Sequence, residues 1–532
     1  MTDSTSSRGS EIRARIRQGA TDRVRIDTRT LAVFRIFVGL LIVADILLRS
    51  RNFAYYYTDD GAVPQDLAVA LSSDGAFSVY HFTSDPTVIA ALFALQILVA
   101  IQLIVGYKTR LATIVSFLLV ISLDHHNPLV TSYADILFRL LLFWAIFLPL
   151  GERWSIDAVH ADRSPRASIA NAASALILFQ MVYMYIVNGY HKAQEELWIS
   201  GDATPLVMGL DDMTFLLAEY VREFPTLLQL GGLMWFYMLL FSWLLILLVG
   251  RKRMLFAFLF VGGHAMFAVT VRIGAFAYVA LAGLLLFFQA QTWRDGKTLL
   301  GYAGVDTARI SARLSRLERV ADAVPSLQLS DERIQRARSA AYDVSLALVV
   351  ASMIVFMLFT YLPMGAVLGD DVTPEEEIDD VASIVAVDQP TWTVFAPTPR
   401  TTDRYYVFPA KTADGDLIDV YNERPLTYER PHDQLQKQYG TYRERFYMNS
   451  VRRGGSSDGN FAPDAMAEQL CETWEDEHGI ELTNINMYHV NEDITLDSIT
   501  TPEDREMDAY LIDRHACGDH EPEEIAPPPE DL

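Results

Sequence analysis

Leu31-Ala32-Val33-Phe34-Arg35-Ile36-Phe37-Val38-Gly39-Leu40-Leu41-Ile42-Val43-Ala44-Asp45-Ile46-Leu47-Leu48-Arg49 decides the fold class. A helix rises about 1.5 Å per residue, so a run of this length crosses the roughly 30 Å hydrocarbon core of a bilayer. The Arg-rich segment before it leads into no small-residue cleavage site, so the stretch reads as an uncleaved first span rather than a signal peptide. Comparable apolar runs recur at 87–106, 111–124, 134–150, 168–190, 227–249, 254–271, 273–290 and 343–368. Together they predict an all-α polytopic membrane bundle of about nine spans over residues 31–369. The third run is short and fits a tilted or partly re-entrant helix. The stretch 206–224, interrupted by Asp211, Asp212 and Glu219, reads as a helix at the interface.

Charge divides the chain in two. Of its 532 residues 51% are hydrophobic, yet the formal net charge is −24. Residues 1–369 sum to +2 and residues 370–532 to −26. That split excludes a single soluble domain, a disordered protein and a nucleic-acid binder with a basic face. The 6 Lys against 37 Arg, with the acidic tail, point to a protein facing concentrated salt, in a halophile and specifically a halophilic archaeon. With residues 1–30 as a basic cytoplasmic N-terminus, the inner segments hold 24 basic residues and the outer ones 5. The positive-inside rule then sets the N-terminus inside and the acidic tail outside a cell membrane crossed several times.

Within the tail, 370–387 reads as an acidic linker, 388–518 as a small exterior α+β domain and 519–532 as a disordered acidic end. Tyr405–Phe408 and Leu417–Tyr421 flank Ala413-Asp414-Gly415, a hairpin signal. Ala465–Glu477 reads as a helix opened by Pro463 and Asp464, and Ile480–Val490 as a strand. Cys471 and Cys517 either form a disulfide on this oxidising side or remain two small hydrophobes. His515, Cys517 and His520 make too small a cluster for a metal centre, and no metal is expected.

Ionisable residues inside spans need an account. Asp45 and Arg49, at i,i+4 spacing, can pair and favour a structural role. Arg35 and Arg139 favour snorkelling or a buried fold-locking pair. Lys192 closes Asn188-Gly189-Tyr190-His191-Lys192 at the outer end of the fifth span, in a chain poor in lysine. Helical spacing puts Met181, Tyr185, Asn188 and Lys192 on one face. An amine at that depth can act as a base, which an arginine, keeping its proton, cannot; the alternative is a snorkelling lysine. His264, in Val261-Gly262-Gly263-His264-Ala265, is either a core histidine bonded to a carbonyl or part of a site. The loops Tyr57–Pro64 and His125–Pro128 lie on the same outer side, which predicts a site open outward and sideways to lipid. Phosphate loops, dinucleotide fingerprints, Cys-rich metal sites and nucleophile elbows are all missing from the sequence.

The pattern resembles the HTTM-domain membrane proteins related to the vitamin K-dependent γ-glutamyl carboxylase. The matching pieces follow the family's order. They are the Arg-containing first span, Tyr57-Thr58-Asp59-Asp60-Gly61-Ala62-Val63-Pro64, His126-Asn127-Pro128 and Asp135. Then come Leu142-Phe143-Trp144, Phe147-Leu148-Pro149-Leu150-Gly151, Trp154-Ser155-Ile156-Asp157, and Asn188-Gly189-Tyr190-His191-Lys192 with Trp198 and Gly201. Gly263-His264 and Gln389-Pro390-Thr391-Trp392-Thr393-Val394-Phe395-Ala396-Pro397 complete the series. Tyr133-Ala134-Asp135 stands where the carboxylase has an Asn-His pair, and Ala193-Gln194-Glu195-Glu196-Leu197-Trp198 replaces its Leu-Asp-Ala-Asp-Trp run.

The resemblance implies a reaction of reduced vitamin K or menaquinol with O2 and CO2, coupled to carboxylation of Glu in a secreted protein substrate. It makes Lys192 the catalytic base and His264 its supporting partner. Tyr185, Asn188, Trp198, Asp135, His126 and Arg272 are weaker candidates for quinone or substrate contact. Membrane lipid or quinone is then the expected partner and nucleic acid is not. Two other classes compete. One is a non-catalytic membrane scaffold, or lipid- or quinone-binding module, presenting the exterior domain. The other is a transporter, disfavoured because broken-helix inverted repeats are missing.

Overall fold

The computed structural model describes residues 3–529 apart from 73–74, 162, 307–311, 313–317, 327–331, 362–373 and 455–460. An N-terminal helix, α1 (Asp3–Arg23), leads into α2 (Thr28–Arg49), whose first turn is capped by the Asp27 carboxylate. The membrane body continues through α3 (Pro86–Val105), α4 (Thr109–His126), α5 (Tyr133–Ala145) and α6 (Ala172–Lys192). It ends with α7 (Pro225–Leu240), α8 (Gly250–Thr270), α9 (Phe276–Leu285), α10 (Ala290–Tyr302) and α11 (Glu332–Tyr361). A two-residue ribbon, β1 (Ile26–Asp27) with β2 (Ser168–Ile169), ties the starts of α2 and α6 together.

Each of the nine apolar runs contains helix, but their lengths differ from the expectation. Among the described residues five helices are long and apolar enough to cross a membrane, six if the bent pair α9–α10 counts as one. The chain is thus a mostly helical membrane protein with a separate strand-containing C-terminal domain. Several spans come out short because their ends unwind: α5 stops at Ala145, and α9 turns by 101° into α10. The stretch 206–224 holds only short helices, Ala203–Met208 and Ala218–Val221. The end of the ninth run, 362–368, lies outside the described residues.

Two residue pairs in this body resolve differently. Asp45 and Arg49 meet at 2.8 Å, and Arg49 also reaches Asp124 at 2.7 Å. Arg443 of the C-terminal domain joins the group, bonding to Asp45 and, at 3.0 Å, to Asp135. Arg35 is fully buried and is held by carbonyls rather than by an acid. It donates to the carbonyls of Leu150, Arg153, Ile104 and Trp154, while Arg139 faces Asp124.

In the linker, α12 (Pro374–Ile384) is helical, and residues 370–373 lie outside the described set. The C-terminal domain packs α13 (Tyr442–Gly454) and α14 (Ala462–His478) on a sheet. Its strands are β3 (Thr402–Val407), β4 (Pro409–Thr412), β5 (Leu417–Asp419), β6 (Arg424–Pro425), β7 (Leu482–Asp493) and β8 (Met507–Ala516). β7 is the axis: β3 and β4 pair with it in succession, and β8 pairs with it as well. The predicted hairpin is present, turning at Asp414-Gly415, but its first arm is β4. Tyr405–Val407 pair with β7 instead, and the chain continues along β7 in the same register into β4. Cys471 and Cys517 are joined by a disulfide, which removes the sulfur from the His515–Cys517–His520 grouping. The end of the chain, expected to be disordered, lies against the sheet over 519–529: Ile525 is buried, and Tyr428 Oη donates to the Ala526 carbonyl. Residues 530–532 lie outside the described set.

Candidate functional site

α6 positions the central groups. Asn171 and Ser174 form a reciprocal cap at its start, and its last residue is Lys192. The helical spacing places Met181, Tyr185, Asn188 and Lys192 on one inward face, where all four are buried. Gly189 on the same helix lets α7 approach: a Cβ there would stand 3.0 Å from Leu239 Cβ and 3.1 Å from the Leu240 amide.

Lys192 Nζ donates to the carbonyls of Val394 at 3.0 Å and Phe395 at 2.9 Å, and lies 3.4 Å from the centre of the Trp198 ring. Asn188 Nδ2 donates to the carbonyls of Trp392 at 2.7 Å and Val394 at 3.0 Å. Trp198 Nε1 adds a bond to the Pro397 carbonyl at 2.9 Å. A strap distant in sequence, residues 392–397, is therefore stitched across the end of α6 that carries Lys192. Trp392 and Phe395 hold φ values of +50° and +51°. Non-glycine residues adopt that left-handed conformation only where their surroundings enforce it. Lys192 and Asn188 are those surroundings.

His264 sits on α8, opposite. Its Nε2 lies 2.8 Å from Tyr185 Oη, and its Nδ1 has no hydrogen-bond partner among the described residues. The Trp235 ring meets His264 edge-on at 5.2 Å and fits there because Gly263 has no side chain; a Cβ would come within 2.4 Å of that ring.

Lys192, Asn188, Tyr185, His264 and Trp198 all line one cavity of about 490 Å³, inside the usual range for small-molecule sites. The rest of its wall is mainly aliphatic and aromatic. Leu227, Met234, Phe258, Leu259 and Met266 line it while remaining 47–59% exposed on the outer face of α7 and α8. That side of the cavity is a thin apolar wall facing where lipid would be.

The other candidates stand apart. Asp135 caps α5 through Ser132 and binds Arg443. The His126 ring stacks on Tyr57 and Tyr80, at 5.8 and 5.3 Å. Arg272 donates to the carbonyls of Gln436, at 2.6 Å, and Tyr439. The loops Tyr57–Pro64 and His125–Pro128 pack on each other, with Asn127 bonded to the Tyr56 carbonyl, and on Tyr447 of α13. They do not converge on Lys192, because the C-terminal domain covers them. Sequence reading missed the strap as a wall of the cavity. Its signals are the Gln389–Pro397 part of the family resemblance and an apolar Trp-Thr-Val-Phe-Ala run inside an acidic tail.

The HTTM domain family model matches residues 24–293, just over half of the chain. No curated protein and no solved structure matches. The match takes in Tyr185, Asn188, Lys192, Trp198 and His264 and leaves out the strap. The chain belongs to the HTTM-domain family.

Proposed function

We propose that this chain is a membrane enzyme that takes a reduced vitamin K or menaquinol from the lipid through the α7–α8 side. It uses Lys192 as the base and carboxylates Glu side chains of a protein substrate. Nine crossings, with the N-terminus inside and the acidic domain outside, go with this reading, supported by the 24-to-5 bias of basic residues. Bound quinol supplies, with O2, the reducing power and the strong base needed to remove a Glu γ-proton, and CO2 takes the proton's place on the γ-carbon.

The observation that carries the reading is the setting of the Lys192 amine. A neutral amine has two N–H groups and a lone pair. Two carbonyl acceptors, Val394 and Phe395, occupy both N–H groups and leave the lone pair for an incoming hydroxyl proton. Once Nζ has accepted that proton, the Trp198 face stabilises the ammonium. The cavity's apolar wall excludes water, and the Tyr185–His264 pair orients a second polar group of the ligand through the unpartnered Nδ1.

Membranes holding the chain, given reduced quinone, O2 and CO2, should form quinone epoxide and add the mass of CO2 to Glu peptides. Both products should vanish in Lys192→Arg, which keeps donors for the two carbonyls but holds its proton. No epoxide from the wild type would overturn the reading. Full activity in Lys192→Arg would remove Lys192 as the base and reduce it to a tether for the strap.

A further inference from the structure

A second cavity, of about 320 Å³, adjoins the first: Val394, Phe395, Ile273 and Phe276 line both. Its outer part comes from the C-terminal domain, where Arg400 and Arg445 line it and Thr398 is exposed at the rim. Arg445, on α13, is 6% exposed. Among the described residues it makes no hydrogen bond and no ion pair; its Nε is buried without a partner, and its contact is the Phe446 ring at 4.9 Å.

No nearby acid touches Arg445. Asp212 binds Arg400 at 2.6 Å through Oδ2, while its Oδ1 is buried without a hydrogen-bond partner and acts on Arg445 only through space; Glu444 Oε2 accepts the amides of Gly440 and Thr441. Other buried arginines of this domain are matched: Arg443 by Asp45 and Asp135, Arg505 by Asp403 and Glu492. A buried guanidinium left without an anion is costly, and such charges are normally paired. This one lines a cavity with an outer rim.

We infer that this second cavity is a carboxylate-binding site in which Arg445 takes the anion. The planar guanidinium matches a carboxylate's two oxygens, and the Phe446, Phe276 and Ile273 walls take an apolar stem behind it. The carboxylate is either a free small acid or an acidic side chain of a peptide entering past Thr398. The site stands on Arg445 alone and does not depend on the chemistry assigned to Lys192.

The test uses the purified full chain in nanodiscs at fixed ionic strength, offered a Glu-containing peptide, its Gln counterpart, and acetate. The Glu peptide should bind roughly tenfold or more tightly than the Gln peptide, as expected for a charge-assisted pair. Arg445→Met should erase that preference while leaving the free chain's melting temperature unchanged or raised, since an unpaired cation has been removed. Arg445→Lys should keep part of the preference. Protection by acetate matching that by the peptide identifies a small acid as the occupant; protection by the peptide alone identifies a side chain. The inference falls if the wild type neither prefers Glu over Gln nor responds to acetate, or if the preference survives in Arg445→Met. Should Arg445→Met fail to fold, Arg445→Lys decides: a Glu preference as strong as the wild type's overturns the inference.

Discussion

Arg505 and Asp403 face each other at 3.1 Å, and neither side chain reaches solvent. Asp403 also accepts the backbone amides of Asp211, at 2.6 Å, and Asp212, at 2.8 Å, from the loop between the two short helices of the membrane body. Arg505 Nη1 reaches Glu492 as well, at 3.2 Å. This joint fixes the C-terminal sheet on the body. Removing one partner strands buried charge, so Arg505→Met should cost about 3–5 kcal/mol. Thermal unfolding of the full chain measures it.

His489, in β7, stacks on Tyr510 at 5.3 Å, and burial pushes its pKa down to about 4. An unfolded chain protonates this group near pH 6.5. Its contribution to stability is therefore fully present above about pH 6.5 and is lost as pH falls toward the folded value. His489→Gln should flatten the stability profile in that window. An unchanged profile across a pH series of unfolding curves would show that another group sets the slope.

Asn188 holds the carbonyls of Trp392 and Val394, and Asn188→Leu leaves both without that donor. The strap should loosen locally by about 1–3 kcal/mol, the cost of losing such bonds. Faster amide exchange confined to residues near 392–397 is the expected readout. Protection equal to wild type would mean that Lys192 alone holds the segment.

Gly263→Ala drives a methyl group into the Trp235 ring. Overpacking of this kind costs about 1–3 kcal/mol. The displaced indole should enter the cavity, lowering the lipid or quinone that co-purifies with the chain. Trp235 fluorescence and mass spectrometry of the extract report the two effects separately.

The Cys471–Cys517 bond closes a loop of 46 residues. Chain entropy assigns such a loop about 4 kcal/mol. Double substitution to Ser should lower the unfolding free energy of the C-terminal domain by that amount, read from denaturation curves followed by circular dichroism under oxidising conditions.

Local pattern carried much of this. The i,i+4 and i,i+7 spacing in Met181–Lys192 was enough to gather Tyr185, Asn188 and Lys192 on one face, since a helix imposes that geometry on any sequence. Gly263 beside His264 leaves room for a close neighbour, and Trp235 is that neighbour. Span lengths were less legible. Hydropathy does not register where a helix end unwinds, so α5 and α9 came out shorter than their apolar runs. What could not be read was contact across the chain. Lys192 and Val394 are about 200 residues apart in sequence and bonded in space. Asp135, His126 and Arg272 are held away from the cavity by ion pairing, ring stacking and carbonyl contacts.

Val394 and Phe395 are a partition with a chamber on each face. Their carbonyls belong to the inner chamber through Lys192, and their side chains line both. A ligand that moves the partition from either face therefore changes the free energy of occupying the other. By thermodynamic reciprocity the change is equal in both directions. Occupancy of the Arg445 chamber and of the Lys192 chamber would then be one coupled equilibrium, with Val394 and Phe395 as the shared wall.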